Sequence, residues 1–163
     1  MARPPVAAVI IVENVTNKGH YTGMNFDLTS FLPYLLNQAA EAASLDFQRE
    51  YKARYGMLRT EWRVLFHLGR YGDMSARDIV ERAMIHKTKV SRAVAALEGR
   101  RFLTRKSVEE DRRREVLSLT PAGREAFAEL TALAEKHDVA LMEGVSAEDA
   151  AVVRRVLRGI AGL

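Results

Sequence analysis

The apolar residues change their period from about 3.6 to 2 at Gly99, and this change most constrains the fold. Over residues 87–99, apolar side chains recur every three or four positions, as on one face of a helix. Segments 102–106 and 115–119 instead show the period of two that is typical of strands. Segment 109–114 lies between them and is predicted to form their turn. The pattern therefore predicts a helix followed directly by a β-hairpin.

A second short helix precedes this one. Ser75 and Asp78 have the spacing of a capping box, and the helix that they open is predicted to end near Ala83. After a three-residue turn, Lys87 opens the next helix, with His86 as its cap. Two short helices joined in this way and followed by a hairpin predict a winged helix-turn-helix.

Longer helical patterns flank this segment on both sides. Ser30, Thr60, Thr120 and Ser146 can cap them, and Pro121 occupies a first helical position, where a missing N–H is harmless. The predicted spans are 30–56, 60–72, 120–143 and 146–160. We therefore predict a mainly α fold with a small antiparallel β-hairpin, the wing.

Residues 1–25 show no sustained period and are predicted to form a poorly ordered arm. A short strand over residues 6–12 is an alternative for part of this arm. A second alternative is that Met24 is the native start, in which case residues 1–23 do not belong to the protein.

The composition argues against an enzyme. The chain has no cysteine, which excludes a disulfide framework, a thiolate zinc site and a cysteine redox sensor. The four histidines are too scattered for metal-ligand spacing, and we expect neither a metal nor a cofactor. Phosphate-loop, dinucleotide and nucleophile-elbow motifs do not occur in the sequence. No apolar run approaches the roughly 18 residues that cross a membrane, so we expect no membrane association and a cytoplasmic location.

Positive charge is concentrated in the middle of the chain. Residues 82–114 contain 11 basic and 4 acidic side chains, whereas the remainder contains 14 basic and 17 acidic ones. A basic segment on an otherwise acidic chain favours a polyanion partner, here double-stranded DNA. The candidate DNA-binding residues are Lys87, Thr88, Lys89, Ser91 and Arg92 on the helix, and Arg112, Arg113 and Arg114 on the wing. The alternative for the three wing arginines is a solvated turn that Glu109, Glu110 and Asp111 balance.

A second candidate site lies on the helix that precedes the two short ones. Arg63 and His67 are four residues apart and therefore share a helix face. One interpretation is an effector pocket in which the arginine meets a carboxylate or phenolate; the other is a surface or dimer-interface pair. Trp62 and Tyr34, most simply core residues, complete the candidate effector-binding set.

Three stretches together resemble a known family. LRTEWRVL, SARDIVERAMIHKTKVSRAVAALE and DRRREVLSLTPAG look like consecutive signatures of the MarR family of winged-helix regulators. The resemblance covers roughly residues 27–163. Its most specific part is the wing pattern that Asp111, Arg113, Leu119, Thr120 and Gly123 match.

The resemblance implies a homodimer on a pseudopalindromic operator. Residues 26–56 and 121–163 would form the helical dimerisation region, and residues 57–120 the winged helix-turn-helix. The recognition helix maps onto residues 87–99, the wing-tip arginine onto Arg113, and Asp111 would brace the wing. Members of the family commonly repress transcription and release DNA when a small aromatic or anionic effector binds. The alternative from another class is a winged-helix protein-interaction module or anti-regulator that does not read DNA sequence.

The chain departs from the family pattern at two positions. The family often has glycine where Arg101 stands, just after the recognition helix. The cap of that helix is usually a small acidic or polar residue, whereas here it is His86, and an imidazole caps less well. Both departures concern the geometry around the recognition helix and leave the predicted fold unchanged.

Overall fold

The computed structural model describes residues 26–108 and 111–163; the predicted arm at 1–25, with its alternative strand and start, lies outside them. A short 3-10 turn at Leu28–Ser30 precedes the first helix. The helices are α1 (Leu32–Tyr55), α2 (Arg59–Tyr71), α3 (Ala76–Ala83), α4 (Lys87–Gly99), α5 (Pro121–Leu141) and α6 (Ala147–Ala161). The strands are β1 (Leu103–Val108) and β2 (Asp111–Leu119), between α4 and α5. The mainly helical fold with one antiparallel hairpin is confirmed.

The chain divides into two compact units. The second unit spans residues 45–134 and contains α2, α3, α4, both strands and the adjoining parts of α1 and α5. The first unit contains the described residues up to Ser44 and those from Glu135 onwards, including α6. The predicted domain bounds at residues 56 and 121 stay a prediction.

The second unit is built around one apolar core. Each of its three central helices turns an apolar stripe inward, because the buried residues recur every three or four positions. On α2 these are Val64, Leu65 and Leu68; on α3, Ile79 and Ala83; on α4, Val90, Ala93, Val94 and Leu97. Fully burying one such aliphatic side chain stabilises the fold by about 1.5–3 kcal/mol, so the three stripes fix how these helices pack.

The two strands form an antiparallel hairpin whose base is anchored on the helical core. Leu103 pairs with Leu119, and Arg105 with Leu117. Leu117 also exchanges two backbone hydrogen bonds with Met74, which lies just before α3, at 2.9 and 3.2 Å. At the base of the wing, strand β2 is therefore hydrogen-bonded along both edges, to β1 on one side and to Met74 on the other.

The first unit leaves much apolar surface exposed. Helix α6 contains no buried residue, although it carries Val152, Val153, Val156, Leu157 and Ile160. Within this unit, His137 Nε2 lies 2.7 Å from the carbonyl oxygen of Ala43, and Arg154 pairs with Asp138 at 2.8 Å. None of the helices in the described ranges is long and apolar enough to cross a membrane.

Several predicted boundaries were wrong for local reasons. Ser30 does not cap α1; it closes the 3-10 turn, where its hydroxyl donates to the Asp27 carbonyl at 3.0 Å, and α1 begins at Leu32. Helix α2 begins at Arg59 and not with Thr60 as cap, because the Glu61 carboxylate accepts from the Leu58 N–H at 2.9 Å. Helix α5 ends at Leu141, two residues before the predicted Glu143.

The strand bounds also differ from the prediction. Strand β1 begins at Leu103, one residue later than predicted. The Phe102 N–H instead closes the end of α4 by donating to the Leu97 carbonyl at 2.9 Å. It runs to Val108, and β2 begins at Asp111 instead of residue 115. Segment 109–114 is therefore not all turn, since its last four residues belong to the return strand.

Candidate nucleic-acid interface

The turn between α3 and α4 positions the candidate recognition helix. Met84 ends α3 in the left-handed region (φ 51°), and its N–H donates to the Val80 carbonyl. Ile85 is buried, so it fixes the turn on the core. His86 then caps α4, because its Nδ1 accepts from the Thr88 N–H at 3.3 Å. The predicted capping box at Ser75 and Asp78 and the imidazole cap are both confirmed.

Helix α4 presents its polar face to solvent. Val90, Ala93, Val94 and Leu97 occupy one side and are buried, which fixes the rotation of the helix about its axis. The predicted DNA-binding residues of this helix are all exposed: Lys87, Thr88, Lys89, Ser91 and Arg92. The structure therefore brings these five side chains together on one free surface.

The wing arginines lie on an irregular part of the hairpin. Pairing changes from Ser107 opposite Glu115 to Val108 opposite Asp111, so residues 112–114 fall inside a register shift. Such irregularities bend a strand and redirect its side chains. The side chains of Arg112, Arg113, Arg114 and Asp111 are outside the described part of the structure.

The junction between wing and α5 explains the Leu-Thr-Pro-Ala-Gly stretch. The Thr120 hydroxyl accepts from the Gly123 N–H at 3.0 Å and donates to the Arg101 carbonyl at 2.7 Å. A Cβ on Gly123 would lie 1.9 Å from the Phe102 carbonyl oxygen, so only glycine allows this close approach. Thr120 is confirmed as the cap, with Pro121 as the first helical residue.

Arg101 has a backbone conformation that favours glycine. Its φ is 62°, in the left-handed region, which costs an ordinary L-residue about 1–2 kcal/mol. The chain must turn here between α4 and β1, and the Arg101 N–H donates to the Glu98 carbonyl at 2.8 Å. The sequence thus places a strained arginine where the MarR pattern often has glycine.

Three ion pairs near the candidate interface, made by two arginines, were not predicted from the sequence. The guanidinium of Arg100 contacts the Glu61 carboxylate at 2.6 Å, and that of Arg105 contacts Glu98 at 2.9 Å and Glu115 at 3.1 Å. Both arginines were counted only as part of the basic segment. Their partners are on other elements, and no sequence period indicates such partners.

Trp62, Arg63 and His67, three of the candidate effector residues, share helix α2 and are partly buried. Arg63 donates a hydrogen bond to the carbonyl of Ala83, the last residue of α3. Burial lowers the pKa of the Arg63 guanidinium, and the positive charge of Arg59 acts in the same direction. His67 Nδ1 lies 2.6 Å from the Arg63 carbonyl oxygen; since a carbonyl only accepts, Nδ1 carries the proton.

Trp62 and Tyr34 have different surroundings from Arg63 and His67. Trp62 packs edge-on against Phe47 at 5.0 Å and stacks on Tyr51 at 6.1 Å, so it belongs to an aromatic cluster of the second unit. Tyr34 is partly buried on α1, in the first unit. Within residues 26–108 and 111–163, no group of three or more acidic, histidine or cysteine side chains is arranged to hold a metal ion.

A helix-turn-helix with an exposed basic face, beside a two-stranded wing, defines a winged-helix DNA-binding protein. Residues 55–114 match the model of the MarR family. Over 127 residues the chain is 27% identical to the uncharacterized HTH-type transcriptional regulator YwaE of Bacillus subtilis (strain 168), covering 77% of this chain and 74% of YwaE. Over its winged helix-turn-helix the chain is therefore similar to the MarR family of transcriptional regulators.

Solved structures share the fold over nearly their full length. The MarR family transcriptional regulator SPO1453 of Silicibacter pomeroyi DSS-3 is 29% identical, with a TM-score of 0.73, over 85% of this chain and 98% of its own. BpsR of Bordetella bronchiseptica is 22% identical, with a TM-score of 0.76, over 86% of this chain and 99% of its own. The BpsR structure describes regulation of its DNA binding by 6-hydroxynicotinic acid.

Proposed function

We propose that the protein is a homodimeric repressor that binds a pseudopalindromic operator and is released by a small aromatic or anionic effector. The observation that carries this proposal is the exposed polar face of α4, with its two lysines and one arginine, beside the wing. A helix with such a face can enter the major groove, where each base pair presents a distinct pattern of donors and acceptors.

The rotation of α4 divides its polar residues by role. At about 100° per residue, Thr88 and Arg92 lie nearly opposite the buried stripe, so they would reach deepest into the groove. Lys87 and Lys89 lie towards the two flanks of this face, where the phosphates run. We therefore assign base contacts to Thr88, Arg92 and the neighbouring Ser91, and phosphate contacts to the two lysines.

The wing supplies a second contact on the DNA. Arg112, Arg113 and Arg114 follow each other on the irregular part of β2, at the far end of the hairpin from its anchored base. An arginine carried on such a hairpin can enter a narrow minor groove, where the negative potential is strongest. We assign this contact to Arg113 and the bracing of the wing to Asp111, by similarity to the family pattern.

Dimerisation is supported by the exposed apolar residues of the first unit. On α6, Val152, Val153, Val156, Leu157 and Ile160 are each more than two-fifths exposed. At 100° per residue they cover one side of the helix, while Arg154, Arg155 and Arg158 cover the other. An apolar helix face of this kind is unfavourable in water, and a second copy of the chain is the partner that a symmetric operator requires.

Effector binding is supported by the position of Arg63. Its guanidinium is partly buried and holds the Ala83 carbonyl, which directly precedes the turn that positions α4. A carboxylate binds a guanidinium more strongly than a neutral carbonyl does, so an anionic effector would compete for this arginine. Loss of the bond to Ala83 would then loosen the turn. The regulation of BpsR by an aromatic acid makes this effector class reasonable.

A binding experiment tests the DNA-binding part. Fluorescence anisotropy with the DNA upstream of the gene, against a scrambled duplex of equal length, should give a Kd of about 10⁻⁸ M or tighter only for the former. A plot of log affinity against log salt concentration should have a slope of about −0.9 for each phosphate contacted. Equal, weak binding to both duplexes would favour the protein-interaction module instead.

A second titration tests the effector part. Adding 6-hydroxynicotinic acid or benzoate to the protein–DNA complex should release the DNA, and Arg63→Gln should remove this response while the variant still binds DNA. Release that is unchanged in Arg63→Gln would show that the effector acts elsewhere.

Analytical ultracentrifugation tests the dimer. The wild type should sediment as a dimer, and Val156→Glu, which places a charge on the apolar face of α6, should weaken dimerisation. A wild-type protein that sediments as a monomer would refute the proposed dimer.

A further inference from the structure

We propose that Arg105 is a positioning residue for DNA recognition: it locks the wing to the recognition helix and does not itself contact DNA. The inference rests on the proposed DNA-binding function and adds a structural role within it. One guanidinium joins three elements, since Arg105 is on β1, Glu98 is in the last turn of α4, and Glu115 is on β2.

The geometry of the contacts suits a lock. Arg105 Nε lies 2.9 Å from one Glu98 oxygen, and its Nη1 lies 3.1 Å from one Glu115 oxygen. The planar guanidinium presents its donors at fixed angles, so two carboxylates held at once define its orientation. Lysine, with a single ammonium on a flexible stem, has no such fixed geometry.

The sheet register directs Arg105 towards the helices. Arg105 is opposite Leu117, and Ser107 is opposite Glu115, so Arg105 and Glu115 are diagonal neighbours on one face of the hairpin. Leu117 shares this face and is buried, which turns the face towards the helical core. The Arg105 side chain is only 33% exposed, although the residue lies within the basic segment.

The local charge argues against a phosphate contact. Two carboxylates surround one guanidinium, so the cluster carries a net charge of −1 and adds nothing positive to the DNA-facing surface. To reach a phosphate, Arg105 would have to give up both ion pairs. The cluster instead couples the direction of the wing to the end of α4, which sets the spacing between the minor-groove and major-groove contacts.

The test compares Arg105→Gln with the wild type by anisotropy, on the operator and on a scrambled duplex over a range of salt concentrations. We expect the operator affinity to fall about tenfold, roughly the cost of one lost base contact. Affinity for the scrambled duplex and the salt slope should stay nearly unchanged. A direct phosphate contact would instead lower both affinities and reduce the slope by about 0.9, which would overturn the proposal.

Two further variants make the test specific. Glu115→Gln removes one partner and leaves Arg105 in place, and the double variant with Arg105→Gln should lose little more than Arg105→Gln alone. Fully additive losses would count against a shared lock. The control is Arg49→Gln, which removes an arginine paired with a single carboxylate, that of Asp46 at 2.7 Å on α1; it should leave operator binding unchanged.

A measurement without DNA separates this inference from the proposed function. Hydrogen exchange of the β1 and β2 amides should accelerate in Arg105→Gln, because the hairpin loses its tie to α4. If the wild type binds no DNA but this exchange accelerates, the proposed function fails and the lock stands. If the wild type binds its operator and neither the exchange nor the specificity changes in Arg105→Gln, the lock is refuted.

Discussion

The Arg100 guanidinium lies 2.6 Å from the carboxylate of Glu61 and so ties the end of α4 to the start of α2. Glu61 is only 5% exposed. It also accepts from the Leu58 N–H at 2.9 Å, while Arg100 donates to the Gly56 carbonyl at 3.1 Å. The pair thus closes the loop between α1 and α2 beneath α4.

Removing one partner of this pair should destabilise the fold. Arg100→Ala would leave the buried Glu61 carboxylate without its counter-charge, and breaking a buried pair costs about 3–5 kcal/mol. Since Arg100 is 36% exposed, water can partly replace it, and we expect a loss of about 2–3 kcal/mol. Urea unfolding measures this. Arg49→Ala, at an exposed pair, is the control and should change the free energy of unfolding by less than about 1 kcal/mol.

The strained backbone at Arg101 predicts a substitution that increases stability. Arg101→Gly should relieve the cost of a left-handed φ, offset in part by the larger entropy of glycine in the unfolded chain. We expect a gain of up to about 1 kcal/mol in the free energy of unfolding. Arg101→Val should instead lose stability, because a β-branched residue tolerates positive φ poorly. Equal stabilities for the two variants would contradict the role of the backbone.

Gly123 should tolerate no side chain. In Gly123→Ala the new Cβ would lie 1.9 Å from the Phe102 carbonyl oxygen, which is backbone and cannot rotate away. Overpacking typically costs about 1–3 kcal/mol, and we expect the upper end of this range or more. Differential scanning calorimetry should show a lower Tm. Gly99→Ala is the matched control, because its Cβ would meet no atom within 4 Å and alanine favours a helix.

Much of the fold was predictable because helix starts and turns depend on nearby residues. The capping box at Ser75, the imidazole cap at His86 and the Thr120–Pro121 start each use side chains within three residues of the helix that they begin. The errors arose where a distant or unexpected group supplied the contact. Glu61 satisfied the start of α2 in place of Thr60, and the strand pairing extended β2 back to Asp111.

The candidate site was predictable in part. The exposed face of α4 followed from periodicity, since the buried stripe fixes what remains outside. Periodicity gives no partners, however, so the ion pairs of Arg100 and Arg105 were not foreseen. Glu61 and Arg100 are 39 residues apart, and only the packing of α2 against α4 brings them together. The basic segment therefore overstated the free positive charge near the wing.

Glu129 makes stability depend on pH at the acid end. The hydrogen bond from the Tyr55 hydroxyl, aided by Arg54, lowers the pKa of the Glu129 carboxyl below its usual 4.5. A lowered folded-state pKa contributes stability that is present above about 4.5 and is lost as the pH falls through the folded value. Glu129→Gln should therefore lose less stability than the wild type between pH 5 and pH 3, as urea unfolding at each pH can measure.

The hydrogen bond between Tyr55 and Glu129 also makes stability depend on pH at high pH. Burial and the Glu129 carboxylate raise the pKa of Tyr55 to about 12. Since the neutral phenol is favoured in the folded state, its contribution is present below the ordinary pKa of 10 and is lost as the pH rises towards 12. Absorbance titration should show that Tyr55→Phe removes one tyrosine from those that ionise late. If Glu129→Gln leaves the loss of stability between pH 5 and pH 3 unchanged, the pH dependence cannot be assigned to Glu129.

The division of roles on α4 predicts two different DNA-binding defects. Arg92→Ala should reduce operator affinity by about 1–3 kcal/mol and relax discrimination at one base position, because Arg92 lies opposite the buried stripe. Lys87→Ala should weaken binding to operator and scrambled DNA alike and lower the salt slope by about 0.9. Competition with a set of single-base operator variants measures the first effect, and a salt series the second. Both side chains are exposed, so thermal unfolding should be unchanged. If Lys87→Ala alters base preference while Arg92→Ala alters only the salt slope, the helix enters the groove at a different rotation from the one proposed.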